Sequence, residues 1–391
     1  MVLGMVHEAV KGAVADVRSG VTAREKIEKA ASLTRTFLRE LFGLFSSAPY
    51  AVFTNSVWRK PEQYQQRWHF NLLRNVRYGP AERNLLDVYT PSSCTSKSSL
   101  PVVVFVHGGV WASGDKSLFS PVGAILAHHG VIALLVQYTL FPQVPAKEQV
   151  KEISRALSWA QDNVKGYGGN PDKVHMMGHS SGAHLCGMLL WERARRNLSF
   201  KKDVVSSAEP TDARQPRCYI GLSGVYNIGE HYKYEMWRGV APISCMTPAI
   251  EGPKHFSSMS PELLFRSLLS LKMNQHVQDM DPNLEDLNTK DFDWDSWASS
   301  LPPFLSIVSD IDKTVPPGTS INFNHVLQEL GCKSGVTIHE KLNHDDFVCW
   351  VKGFKGQENL AAQEVISNIL DIVKGEDERS TFLHSEVLAT D

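Results

Sequence analysis

Gly178-His-Ser180-Ser-Gly182 is the segment of this chain best suited to covalent chemistry. In G-x-S-x-G a serine sits at the apex of a sharp strand-to-helix turn, and the flanking glycines let the chain double back without a side-chain collision. A serine hydroxyl is a weak nucleophile until a base takes its proton, and a third group must orient that base. Both partners follow in a workable chain order. Asp312 lies in Asp310-Ile-Asp312-Lys-Thr-Val-Pro316, and His344 lies in Asn343-His-Asp-Asp-Phe347. Asp310 is nearer the end of the preceding strand, but Asp312 opens D-x-x-V-P, where a turn would aim its carboxylate at the histidine. Asp312 is therefore expected to orient His344, with Asp310 serving the turn's backbone. Asp345 and Asp346 are expected to be solvated loop carboxylates.

A carbonyl attacked by Ser180 becomes an oxyanion and needs donors already in place. His107-Gly-Gly-Val-Trp111, just past an apolar run, can supply them through the backbone N–H groups of Gly109 and Val110, joined by that of Ser181. His107 and Gly108 are expected to hold this loop, and Gly178 and Gly182 the serine turn. His179 and His184 flank the nucleophile and are expected to pack or hydrogen-bond.

These residues need a scaffold that brings distant loops to one edge. Arg83 to Thr90, Pro101 to Val106, Val131 to Val136, Lys173 to Met177, Phe304 to Val308 and Val336 to His339 read as strands. The run Val-Val-Val-Phe-Val106 lacks alternation, as suits a strand covered on both faces. Helices are expected between them: Val150, Ile153, Leu157, Ala160 and Val164 step by three and four, and Ser181 to Arg196, Thr319 to Leu330 and Glu358 to Val373 are also helical. Such alternation predicts an α/β fold with a mostly parallel sheet. Residues 1–60 are expected to form an N-terminal helical arm and 61–375 the main domain. Residues 227–300 are expected as an insertion or cap, and 376–391 as a polar tail. Trp and Met residues of the insertion are expected to wall a pocket, and the acid-rich stretch from Asp279 to Asp295 to be a solvated surface.

Composition narrows the function further. The 391 residues carry 40 Lys+Arg against 42 Asp+Glu, which gives no broad attraction to nucleic acid. The six cysteines form no C-x-x-C pair and predict neither a zinc site nor a disulfide framework. With no H-E-x-x-H, Walker loop or G-x-G-x-x-G, neither metal nor cofactor is expected. Met1 to Gly20 has no apolar signal core, so an intracellular location is expected, cytoplasmic or at the endoplasmic reticulum membrane. Leu41 to Trp58 is apolar but broken by Pro49 and Asn55. It is expected to touch a membrane surface or to pack on the main domain.

The segments HGGVW, YGGNPDKVHMMGHSSGAHL, SDIDKTVP and NHDDF together resemble the α/β-hydrolase superfamily in its carboxylesterase-like branch. Tyr78-Gly-Pro, Arg83-Asn-Leu-Leu-Asp87-Val-Tyr-Thr-Pro91, Gln137-Tyr-Thr-Leu-Phe-Pro142, Gly221 to Asn227, Ser260-Pro-Glu-Leu-Leu264 and Leu301-Pro-Pro-Phe304 are similar to isoprenylcysteine α-carbonyl methylesterases. His107 is more like kynurenine formamidases and general esterases. The resemblance implies an α/β-hydrolase fold and an apolar small-molecule ester, with a prenylcysteine methyl ester the first choice. N-formylkynurenine is the alternative substrate, and a non-catalytic ligand receptor the alternative class. It does not fix the oligomeric state.

Overall fold

The computed structural model of the chain describes residues 2–36, 60–199, 214–273, 292–348 and 360–375. Eight strands form one sheet: β1 Phe70–Arg77, β2 Leu85–Pro91, β3 Leu100–Val106, β4 Ile132–Gln137, β5 Gly169–His179, β6 Tyr219–Leu222, β7 Phe304–Ser309 and β8 Ser334–His339. Their order is β1-β2-β4-β3-β5-β6-β7-β8. β2 pairs antiparallel with both β1 and β4, and every other pairing is parallel. The helices are α1 Val2–Ser19, α2 over 23–36, α3 Gln65–Trp68, α4 Ser120–His128, α5 Ala146–Asn163 and α6 Ser181–Ser199. They continue with α7 Ile228–Arg238, α8 Met246–Ala249, α9 Pro261–Lys272, α10 Trp294–Ser300, α11 Gly318–Glu329 and α12 Leu360–Lys374.

The unbroken apolar run in β3 now has a cause. Successive strand residues face opposite sides. Val102, Val104 and Val106 enter the core that includes Leu157 of α5, Leu185 of α6, Leu268 of α9 and Phe323 of α11. Val103 and Phe105 enter the other core, with Ile125 of α4 and Ile369 of α12. Both faces are dry, so no alternation survives in the sequence.

The topology also decides where a ligand can sit. From β3 the chain passes through α4 to β4, then through α5 back across β3 to β5. Right-handed crossovers in opposite directions place α4 and α5 on opposite faces. They leave a crevice beyond the C-terminal ends of β3 and β5, where strand order reverses. The register levels these ends, pairing Val106 with Gly178, Gly178 with Gly221 and Gly221 with Ser306. The loops holding residues 107–111, 180, 310–316 and 340–344 therefore leave the same edge.

Several expectations change. β1 and β6 were not anticipated, and β5 begins at Gly169 rather than near Lys173. Of the insertion's Trp and Met residues, Met259 lines a cavity between α5 and α6, and Trp237 and Trp297 do not line it. Trp237 is 80% exposed, because the buried stripe of α7 is Ile228, His231 and Glu235, and Trp237 lies off it. Trp297 is buried and its Nε1–H donates to the Ala194 carbonyl (3.2 Å), packing α10 on α6. Leu41 to Trp58 and Asp279 to Asp291 lie outside the described residues. Asp293 and Asp295 are exposed, and Asp293 caps α10 by accepting from the Ser296 N–H (3.0 Å). Among the described residues, no helix is long and apolar enough to cross a membrane.

Candidate active site

Ser180 stands between the end of β5 and the start of α6 with φ 53°. That left-handed conformation costs a non-glycine residue about 1–2 kcal/mol, so the surroundings must hold it. The Ser180 N–H donates to the Leu222 carbonyl of β6 (2.9 Å), and the Ser180 carbonyl accepts from the His184 N–H (3.1 Å). A Cβ on Gly178 would collide with the Gly182 carbonyl and Ala183 nitrogen, and one on Gly182 with the carbonyls of Val106 and His107. Gly178 lets the first turn of α6 fold back on β5, and Gly182 lets α6 approach the end of β3. They leave the serine at the mouth of the switch-point crevice.

Asp312 and His344 meet there. Asp312 Oδ2 lies 2.8 Å from His344 Nδ1, and Asp312 Oδ1 accepts from the N–H groups of Thr314 (2.8 Å) and Val315 (3.0 Å). Burial alone would raise the Asp312 carboxyl. The bond to His344, its charge and the two amides outweigh burial and hold it below its ordinary range. An ionised Asp312 accepts a proton-bearing Nδ1, which leaves Nε2 of His344 as the free basic nitrogen.

The elbow and the histidine loop are physically joined. His179 Nε2–H donates to the His344 carbonyl (2.9 Å), and the two rings lie 4.8 Å apart. His179 immediately precedes Ser180, so this strut fixes the spacing between the serine turn and His344. Asp310 is exposed and accepts from Ser309 Oγ and the Lys341 N–H (both 3.3 Å). It ties the two loops together and does not touch His344. Asp345 is exposed, but the expectation of a solvated Asp346 fails: Asp346 is buried. Its Oδ2 accepts from the N–H (2.8 Å) and Nδ2–H (3.0 Å) of Asn343, completing a capping box that starts the turn at His344. The signal was present as Asn-x-x-Asp, a capping spacing.

The 107–111 loop lies directly on the elbow. Gly109 (φ 127°), Val110 (φ 52°) and Trp111 (φ 57°) turn the chain back on itself. The N–H groups of Gly109 and Val110 have no protein acceptor among the described residues, and that of Ser181 begins α6, where no intrahelical acceptor exists. Three donors are thus left near Ser180. His107 was expected to hold this loop, and Trp111, Gln149 and His184 add supports that were not expected. The Trp111 N–H donates to Ser181 Oγ (3.3 Å), and the Trp111 carbonyl accepts from the Phe141 N–H (2.9 Å) and Gln149 Nε2–H (2.8 Å). Trp111 Nε1–H donates to His184 Nδ1 (3.2 Å), whose Nε2–H donates to the Met259 carbonyl (2.8 Å). His107 is fully buried between Phe119 and Tyr138, its Nδ1 2.8 Å from the Gly108 carbonyl, while its own carbonyl accepts from Tyr138 Oη–H (2.9 Å).

Gly109→Ala should lower kcat by about 10²–10³-fold, the loss typical of a misplaced oxyanion donor. A Cβ there would strike the Ser113 carbonyl in a conformation alanine resists. Steady-state kinetics on a water-soluble ester checks this; an unchanged kcat would remove the loop from the site.

Burial keeps the neighbouring histidines neutral. It pushes His107 and His184 down to about 4 and His179 to about 3, from an ordinary 6.5. A base depressed in the folded state binds its proton more readily when unfolded, so it favours folding above pH 6.5. That contribution is lost as pH falls from 6.5 toward 3–4. The Tm should drop through this window, and His184→Gln should flatten the slope. A Tm independent of pH there would contradict neutral burial.

A cavity of about 780 Å³ lies elsewhere, between α5, α6 and residues 249–259, with Met188, Trp191 and Met259 among its walls. Neither Ser180 nor His344 lines it.

Comparison with known proteins agrees with this architecture. The BD-FAE family model matches residues 86–244. The chain is 29% identical over 307 residues to an Arabidopsis thaliana protein named "Probable isoprenylcysteine alpha-carbonyl methylesterase", covering 78% of this chain and 57% of that relative. It is also 29% identical over 304 residues to the Arabidopsis thaliana isoprenylcysteine α-carbonyl methylesterase, covering 78% of this chain and 62% of the relative. The chain thus spans about three-fifths of the length of these relatives. Esterase B from Lactobacillus Rhamnosis superposes with a TM-score of 0.55 at 16% identity, over 85% of this chain and 98% of that one. The fold is that of the α/β-hydrolases, and the chain is carboxylesterase-like in sequence.

Proposed function

We propose that the chain is a serine hydrolase that cleaves carboxylic esters through an acyl-enzyme. The observation that carries this reading is a left-handed Ser180 at a strand-to-helix turn, strutted to a histidine whose Nδ1 is bound to a buried carboxylate at 2.8 Å. Ser180 Oγ attacks the carbonyl carbon while His344 Nε2 takes the hydroxyl proton. The carbonyl π electrons move to oxygen, where the N–H groups of Gly109, Val110 and Ser181 donate hydrogen bonds to the negative charge. Asp312 keeps the imidazole in the required tautomer and stabilises its charged form. Collapse of the intermediate expels the alcohol, which takes the proton from His344. Water then attacks the acyl carbon as His344 Nε2 takes its proton; the acyl–Oγ bond breaks, the carboxylic acid leaves, and Ser180 Oγ takes the proton back from His344.

The favoured substrate is a prenylcysteine methyl ester, supported by the names of the Arabidopsis relatives and by the segments that resemble such methylesterases. His107 ahead of the oxyanion glycines supports a second reading, hydrolysis of N-formylkynurenine. Turnover of a prenylcysteine methyl ester, N-formylkynurenine and p-nitrophenyl esters of increasing acyl length separates them. The prenylcysteine ester should give the highest kcat/KM. Preference for the formamide would replace the substrate assignment, and no turnover of any carbonyl substrate would favour a receptor.

A further inference from the structure

The outer face of α7 carries a group of large apolar side chains that the fold does not cover. Trp237 is 80% exposed and Met236 51% exposed. Trp237 stacks on Tyr234 (5.7 Å), and Tyr234 Oη–H donates to the Lys313 carbonyl (2.8 Å). Two residues earlier in that loop, Ile311 is 42% exposed. Lys313 adjoins Asp312, so the patch lies beside the proposed catalytic acid. Lys233 and Lys313 are both exposed within it. An exposed tryptophan is costly in water unless something meets it, and contiguous apolar exposure marks a contact surface.

We infer that this face docks on an anionic lipid surface, with Trp237 and Met236 entering the interfacial region and Lys233 and Lys313 facing lipid headgroups. The composition decides for lipid. Tryptophan settles at the level of headgroups, where its ring is half apolar and half polar, and flanking lysines add attraction to anionic lipid. The position fits as well, since a site opening beside the membrane would receive an apolar ester directly from the bilayer. Only that last use rests on the proposed esterase function; the docking itself does not.

The test is flotation of the full chain with vesicles of phosphatidylcholine alone and of phosphatidylcholine containing phosphatidylserine. The chain should float with both and more strongly with the anionic vesicles. Trp237→Ala combined with Met236→Ser should weaken partitioning by at least about tenfold. Lys233→Glu should remove at least about fivefold of the binding to anionic vesicles. Both variants should keep wild-type kcat/KM on p-nitrophenyl acetate, which shows them folded. Ser180→Ala should float like the wild type, so loss of activity and loss of docking are read apart. Failure of the wild type to float overturns the inference, as does undiminished flotation of the Trp237/Met236 variant. A chain dimer that this variant abolishes, without vesicle binding, would assign the face to a second copy instead.

Discussion

Ser180→Ala should reduce kcat on p-nitrophenyl esters by about 10⁶-fold while KM changes little, as expected when the nucleophile of a triad is deleted. The size of the loss follows from the way the residue is held. Its backbone is fixed in the left-handed region by Leu222 and His184, and Gly178 and Gly182 allow the turn. Alanine adopts the same conformation at the same cost, so the fold and the neighbouring donors survive. What disappears is the oxygen proposed to form the acyl bond. Residual rate would come from water attacking a carbonyl still held by the oxyanion donors, about 10³–10⁴-fold above the uncatalysed reaction. Kinetics and a thermal melt on the same preparation check this. A loss below tenfold with an intact melt would mean that the chemistry lies elsewhere.

Asp312→Asn should lower kcat by about 10⁴-fold, and Asp310→Asn by less than about twofold, since exposed Asp310 bonds only loop groups. The first loss is a consequence of proton inventory. The Asp312 carboxylate accepts from three donors: His344 Nδ1–H and the N–H groups of Thr314 and Val315. An asparagine has one oxygen. If that oxygen keeps the two amides, its NH₂ faces Nδ1 and forces the proton to Nε2, where the base is needed. If it turns to His344, its NH₂ confronts two N–H groups that then lose their acceptor, at about 1–3 kcal/mol each. Either choice damages the site. Measured kcat for the two variants decides between the two aspartates, and equal losses would contradict the assignment to Asp312.

The proposed trio, Ser180, Asp312 and His344, could be picked out in the sequence because each member rides on a local signal. A glycine-bracketed serine follows a strand, an acid opens a turn after another, and a histidine follows the last. Their convergence was inferred from the fold, whose parallel strands end level. The supports were less visible. His179, Trp111 and His184 act through pairings that span up to 165 residues, which no local spacing announces. β1 escaped notice because it is a polar edge strand with a single buried residue, Phe70. β6 is only four residues long, too short for a period to declare itself. Trp237 misled in the opposite direction. An aromatic in an insertion suggested a pocket wall, but helical phase turns it outward, and phase depends on the exact start of α7 at Ile228.

Covalent labelling with a fluorophosphonate probe, followed by peptide mapping, tests the central claim most directly. The account predicts one phosphonyl adduct on Ser180. The label should form at the wild-type extent only when His344 is intact, be absent from Ser180→Ala, and be slowed by at least about 10³-fold in His344→Ala. An unlabelled native chain, or an adduct on any other residue that leaves Ser180 free, would contradict it.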